Sequence, residues 1–362
     1  MSDPAKWGVR LEAAVCEHCD WSYLLPPNSP PQRCPHCFNA TLTAVEQPFE
    51  QLPIYPPEMV IKPQLSRGKI AAQIEQFAKG IPFTPKDLSP DTLSGRIRHT
   101  YIPLWLVDSN VHADWRAEMG YDYQVVSHQE IYDQNKGGWH TKEVKETRIR
   151  WEPRIGRLNR TYNNHLAPAL EDEAEMGQRL GEYQLKSAEP YQPALIAQAF
   201  IRLPNRAPED AWPDAEPAFL QAGTADCQKA AEADHIRDYR WSAEFHNRNW
   251  TQLLRSVYAT YYLDDDGQPH PVYLNGQTGF ISGSRRASMK LARRWTLIIL
   301  AIALILFGVG GILAAVGYLF EVPGGTTIGS IGLFFSLIIA ALALLPIFVA
   351  WNFNRKHRSK SQ

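Results

Sequence analysis

Two charge-free apolar runs, residues 295–320 and 326–351, set the first limit on this chain of 362 residues. At about 1.5 Å per residue a helix of either length reaches about 39 Å, past the ~30 Å hydrocarbon core of a bilayer. Both runs are therefore predicted transmembrane helices. The five residues between them, Glu321-Val-Pro-Gly-Gly, allow only a short external turn (321–325) and predict an antiparallel hairpin. A helical hairpin buried in a soluble core is the competing reading, but two successive apolar runs of this length argue against it. Trp295 and Trp351 stand where interfacial aromatic anchors belong. Gly310/Ala314, Gly311/Ala315 and Gly332 are candidates for close helix approach, and Pro346 is expected to bend the second span. Neither run contains an acidic, basic or histidine residue, so no proton relay or ion site is predicted inside the bilayer. The tail reads as an anchor and as an oligomerisation surface for like chains.

Charge sorts the rest. The formal net charge is −1, yet from Arg285 onward nine basic residues face the single acid Glu321, which leaves 28 basic and 37 acidic residues in 1–284. The nine form a collar around the spans: Arg285, Arg286, Lys290, Arg293 and Arg294 in the juxtamembrane stretch 285–294, and Arg355, Lys356, Arg358 and Lys360 in the tail 352–362. The turn between the spans has no Lys or Arg, so the positive-inside bias places both termini in the cytoplasm. Anionic lipids are the expected partners of the collar. The opening "MSDPAKWGVRLEAAV" lacks the apolar core of a signal peptide, and 1–284 is expected in the reducing cytoplasm.

In that compartment cysteines read as metal ligands. Cys16, Cys19, Cys34 and Cys37 follow the spacing C-x2-C-x14-C-x2-C, in which each pair supplies two thiolates from one tight knuckle and two knuckles complete a tetrahedral cage for Zn²⁺. Residues 1–45 are thus a predicted zinc ribbon with a structural ion. His18 and His36, inside the knuckles, are expected as exposed bystanders. Cys227 stands alone and is expected as a small buried hydrophobe. Few cations flank the ribbon, which favours a protein partner over nucleic acid.

Residues 46–65 carry Pro48, Pro53, Pro56, Pro57 and Pro63 and are expected to form a semi-rigid linker. For 66–284 an α+β domain with an antiparallel sheet and flanking helices is predicted. Ser66 reads as a helix cap ahead of Ile70, Ile74, Phe77 and Ala78, and Thr84-Pro85 and Ser89-Pro90 each read as a cap followed by proline at the first helical position. Val111, Ala113, Trp115 and Ala117 alternate with His112, Asp114, Arg116 and Glu118, the period of a half-buried strand. A second strand carries Arg148 and Arg150, extended by Arg154, Arg157 and Arg160 into a positive stripe for an anionic partner; Glu143, Glu146 and Glu152 offer the alternative of a balanced, solvated face. Residues 208–236 should be helical but interrupted by Pro213 and Pro217, "DDDG" at 264–267 should be a solvated turn, and Asn275-Gly276 a tight hairpin turn.

No phosphate-binding loop, zinc-protease, nucleophile-elbow or dinucleotide motif occurs, so no enzyme is predicted. The cysteines, "YIPLW" at 101–105 and "YLNGQTGFISGSR" at 273–285 together resemble a bacterial family with an N-terminal zinc ribbon, an α+β middle and two C-terminal spans. Its members are sometimes labelled helicase-like or primosomal. This chain lacks the glycine that many members carry after the knuckle cysteines, and it has no Walker motif to support a helicase label. The resemblance implies a scaffold that recruits phage-shock-protein-A-like or flotillin-like membrane-remodelling partners to the bacterial inner (plasma) membrane. Two functions follow as expectations: a membrane-anchored adaptor, and as the alternative a membrane-tethered nucleic-acid binder.

Overall fold

The computed structural model describes residues 7–29, 32–45, 54–133 and 138–358. Pro30, Pro31, the first eight residues of the expected linker, Lys360 and the side chain of Arg358 lie outside the described residues. In chain order the elements begin with β1 (Glu12–Val15), β2 (Ser22–Leu25), β3 (Thr43–Ala44), β4 (Met59–Ile61), α1 (Arg67–Ala78), α2 (Pro90–Arg96), β5 (Arg98–Asp133) and β6 (Gly138–Ala167). They continue with α3 (Glu173–Leu180), β7 (Glu189–Pro190), α4 (Pro193–Ile196), β8 (Phe200–Arg202), α5 (Pro208–Ala230), β9 (His235–Leu263), β10 (Pro269–Asn275), β11 (Ile281–Gly283), α6 (Met289–Leu319), α7 (Gly325–Leu342) and α8 (Leu345–Arg358).

The chain divides into two compact units. One comprises Met1–Ile102, Asp172–Leu203 and Leu254–Gln362; the other comprises Pro103–Glu171 and Pro204–Leu253. The sheet is mixed and not purely antiparallel as expected, because β5 and β8 run parallel, with Thr100 opposite Phe200.

In the first unit the strands that flank the cysteine turns do not stand apart. β1 pairs with β2 and β3, and β2 pairs with β8, so the segment continues the main sheet. Within the stretch expected as a linker, β4 pairs with β7, and Ile54, Val60 and Ile61 are buried. Ser66 caps α1 by accepting from Lys69 N–H, and Ser89 caps α2 through Thr92 N–H, each as the sequence predicts. Thr84-Pro85 instead opens a turn closed by Leu88 N–H on Pro85 C=O at 3.0 Å, since Leu88 must reach the core. The Asn-Gly signal also resolves differently. Leu274 pairs with Ile281 across a longer loop, and Gly276 has no positive φ; Gly279 does, at 82°. The Asn275 side chain is fully buried, donates to Leu180 and Glu182 C=O, and accepts from Gln277 and Thr278 N–H, so it organises the loop from within.

The C-terminal helices carry small residues at every seventh position: Thr296, Ala303, Gly310 and Gly317 on α6, Gly329, Ser336, Ala343 and Ala350 on α7, α8 and the bend between them, all buried. A seven-residue repeat keeps one seam facing its neighbour, and without side chains in the way the backbones meet. A Cβ on Gly310 would lie 3.0 Å from Leu333 N. Gly311 has nothing within 4 Å, so Gly311/Ala315 is not a packing pair. The second run breaks at Ala343–Leu344, just before Pro346, whose ring nitrogen cannot donate to Leu342 C=O. Both long helices suffice in length and composition to cross a membrane, and only 11% and 17% of their most apolar windows are buried, unlike a core helix of a soluble protein.

Their basic ends are seated on the body. Ala292, Ala350, Phe353 and Met289 pack with Ile74, Phe77, Leu93 and Tyr262 in one cluster. Asn354 closes the open end of the hairpin, accepting from Ala287 N–H and donating to Ala287 C=O. The acidic turn is not merely solvated: Asp265 accepts from Ser288 Oγ and Lys290 N–H at the start of α6.

The second unit is built on long strands. β5 and β6 pair from Trp105/Ala167 to Asp133/Gly138 with one bulge at Val107/Ser109. Val111, Ala113 and Ala117 are buried while His112, Asp114 and Arg116 are exposed, as the alternation predicts. α5 covers the buried face with Ala211, Ala215, Phe219, Gly223 and Cys227, one residue every fourth. Pro213 and Pro217 sit on its opposite, exposed side, where the C=O groups deprived of an N–H donor can turn to water; the helix therefore runs through both prolines uninterrupted.

Candidate metal centre

Two matching turns build the site. In the first, Asp20 N–H donates to Cys16 C=O at 2.8 Å and Cys16 N–H to Trp21 C=O at 2.9 Å; in the second, Phe38 N–H donates to Cys34 C=O at 3.1 Å and Cys34 N–H to Ala40 C=O at 2.9 Å. Each turn places its two sulfurs on one side. Closing it requires a left-handed residue directly after the second cysteine, and here that residue is Asp20 (φ 57°) or Phe38 (φ 54°) in place of glycine. Phe38 is held by stacking on Tyr261 at 4.8 Å between ring centroids. Asp20 is exposed and has no such compensation. Asp20→Gly should therefore stabilise the fold by about 0.5–1 kcal/mol, read as a rise in melting temperature, whereas Phe38→Gly should not.

The four Sγ atoms of Cys16, Cys19, Cys34 and Cys37 lie within 4.8 Å of one another. Cys16 and Cys37 are 3.6 Å apart and Cys19 and Cys34 3.7 Å. A tetrahedral ion with metal–sulfur bonds of about 2.3 Å requires sulfur separations of about 3.8 Å, so the donor set fits such an ion. Among the described residues no other group of three or more Cys, His, Asp or Glu side chains is placed to hold a metal.

Electrostatics single out Cys34. The hydrogen bond from Cys19 outweighs burial and, with backbone N–H groups of Cys37 and His36 and the Tyr23 hydroxyl, pulls its thiol down to about 5. The same bond, aided by burial, pushes Cys19 up, and burial raises Cys37. Four sulfurs in so small a volume cannot all ionise without a cation, which a divalent metal would supply.

His18 is exposed, as expected, but His36 is not: it packs on Trp21, burial and the nearby Arg202 hold its imidazole down to about 3, and its Nδ1 is buried. Neither joins the sulfur cluster. Behind the cluster lies a layer that sequence reasoning missed. Tyr23 Oη contacts Cys34 Sγ at 3.7 Å, Tyr273 Oη donates to His36 C=O at 3.2 Å, and Arg202, 1% exposed, lies over Trp21 and donates to Asp172 at 2.9 Å. The available signal was an arginine inside an otherwise apolar run, Phe200-Ile-Arg-Leu203.

The arginine stripe is not one surface. Strand alternation puts Arg148, Arg150, Arg154 and Arg160 on one face of β6 and Arg157 on the other. Each also has an acid: Arg148 with Glu146, Arg150 and Arg154 with Glu152, Arg157 with Asp114, Arg160 with Asp226. This is the balanced, solvated arrangement. In the collar, Arg285 bonds Lys79 C=O and covers Phe77, Arg355 lies over Trp351, Arg286 precedes α6, Arg293 and Arg294 lie near its start, and Lys356 near the end of α8. Cys227 is buried, 3.6 Å from Tyr239 Oη.

No protein family, no curated protein and no solved structure matches this chain.

Proposed function

We propose that this chain is a membrane-anchored adaptor whose metal-organised cytoplasmic body recruits soluble protein partners to the inner membrane. The observation that carries the reading is the seating of that body on the hairpin: Ala292 and Ala350 of the two apolar helices share a core with Ile74, Phe77 and Leu93. An anchor joined in this way fixes what it holds at the bilayer surface. Cys16, Cys19, Cys34 and Cys37 take one structural Zn²⁺, with no open coordination position for catalysis. Partners of the phage-shock-protein-A or flotillin kind fit the family resemblance, and both termini lie on the partner side.

Nucleic-acid binding needs clustered, unpaired cations, and the acid beside every stripe arginine removes its main support. The test is affinity purification of the full chain from native membranes in mild detergent. A discrete protein partner should be recovered, and it should be lost with the metal. Recovery of the same partner by residues 285–362 alone, or of none, defeats the adaptor reading.

A further inference from the structure

Beside the start of α6 is a cavity of about 290 Å³, near the lower end of small-ligand pockets. Its lining includes Lys86, Lys290 and Arg294 together with Asp87, Asp264 and Asp265. Each acid is already engaged inside the protein, so none of the three pairs with Lys86 or Arg294. Asp87 takes both guanidinium nitrogens of Arg96 and Leu263 N–H. Asp264 takes His270 and the N–H groups of Asp266 and Gln268. Asp265 takes Ser288 Oγ and Lys290 N–H. The lysine of that last pair, Lys290, is itself turned toward the acidic loop, its Nζ on Asp265 C=O. Lys86 and Arg294 form no ion pair or hydrogen bond among the described residues, and both are exposed.

Depth supplies the second half of the argument. Arg294 directly precedes Trp295, where the apolar run begins, so a bilayer spanned by that run would set the cavity at the level of the lipid phosphates. Leu297, Ile298 and Ile305, one to three turns further along α6, are exposed apolar side chains suited to acyl chains. We propose that this cavity binds the phosphate of an anionic phospholipid headgroup, with Lys86 and Arg294 as the charged contacts. The site rests on the membrane reading above and adds to it a ligand and the two residues that recognise it. Lys86 matters most to the argument, since it belongs to the body and would link body and lipid directly.

The test uses the full chain in a nonionic detergent, titrated calorimetrically with dihexanoyl phosphatidylglycerol, dihexanoyl phosphatidylcholine or inorganic phosphate. Phosphatidylglycerol should saturate one site, and Lys86→Gln and Arg294→Gln should each weaken it about fivefold, the worth of one cation at a membrane surface. Lys69→Gln, an exposed cation of α1 outside both the collar and the cavity lining, should leave it unchanged. Equal losses from all three variants would mean diffuse attraction and overturn the site. So would failure to bind, or equal affinity for phosphatidylcholine. Inorganic phosphate binding as tightly as the lipid would assign the cavity to a soluble phosphate compound and overturn the lipid assignment. Alkaline carbonate extraction of membranes reads the anchor separately: a released chain defeats the membrane reading, whereas an embedded chain with no headgroup preference defeats only this site.

Discussion

Replacing Cys34 and Cys37 by serine is expected to abolish metal binding and, with it, the folding of far more than the first forty-five residues. Serine hydroxyls are poor ligands for a soft-accepting ion, and a structural Zn²⁺ contributes roughly 10–16 kcal/mol of apparent folding free energy in isolated zinc modules. In a self-contained ribbon the damage would stop at its boundary. Here β2 is hydrogen-bonded to β8, β8 to β5, and Cys34 is packed with Tyr23 and Phe200, so the sulfur cluster is part of the sheet's own core. Zinc content by mass spectrometry of the purified chain should fall from about one ion to none. Limited proteolysis should then open sites in 54–102 and 172–203 as well as in the cysteine turns. Protection of those regions in the metal-free variant would show that the cysteine segment folds independently, contrary to this packing.

The second large effect is expected in the hairpin. Gly329→Leu should destabilise the pairing of α6 with α7 by about 3 kcal/mol or more, because overpacking against backbone has nowhere to relax. A Cβ at Gly329 would sit 2.6 Å from Ala314 Cα, and one at Gly317 would sit 2.8 Å from Gly325 Cα. Gly311→Leu is the control, since that position opens to empty space. Disulfide trapping between cysteines introduced at Ala303 and Ser336 positions of the seam, compared across the three backgrounds in membranes, reads the effect. Equal trapping in the Gly329 and Gly311 variants would refute the seam.

Much of this was legible because it is written in short-range signals. The Cys-x-x-Cys spacing defines a donor set whatever surrounds it, uncharged runs of 26 residues have few destinations, and Ser66 and Ser89 cap helices through their own side chains. What was not legible depends on partners distant in sequence. Asn275-Gly276 carries a strong hairpin signal, but the carbonyls of Leu180 and Glu182 capture the asparagine amide and lengthen the loop. Pro213 and Pro217 break helices in general, yet lie here on the solvent side of a helix held by its opposite face. Arg202 and His36 looked like ordinary polar residues until the sheet brought Trp21, Asp172 and Tyr273 around them. The arginines of β6 read as a stripe because their spacing is visible in sequence, whereas the acids that pair with them include Asp114 and Asp226 from other elements.

The length of the β5–β6 ribbon has a mechanical consequence. From the irregularity at Val107/Ser109 to Asp133 it spans 24 further residue steps, about 80 Å at 3.3 Å each. Beyond Asp122, which meets the first residue of β9 through His235 at 2.9 Å, β6 is its only neighbouring strand among the described residues. From Asp122 to Asp133 the ribbon therefore runs 11 residue steps, about 36 Å, past its last contact with β9, and a tilt of about 10° at Asp122 would move Asp133 by about 6 Å.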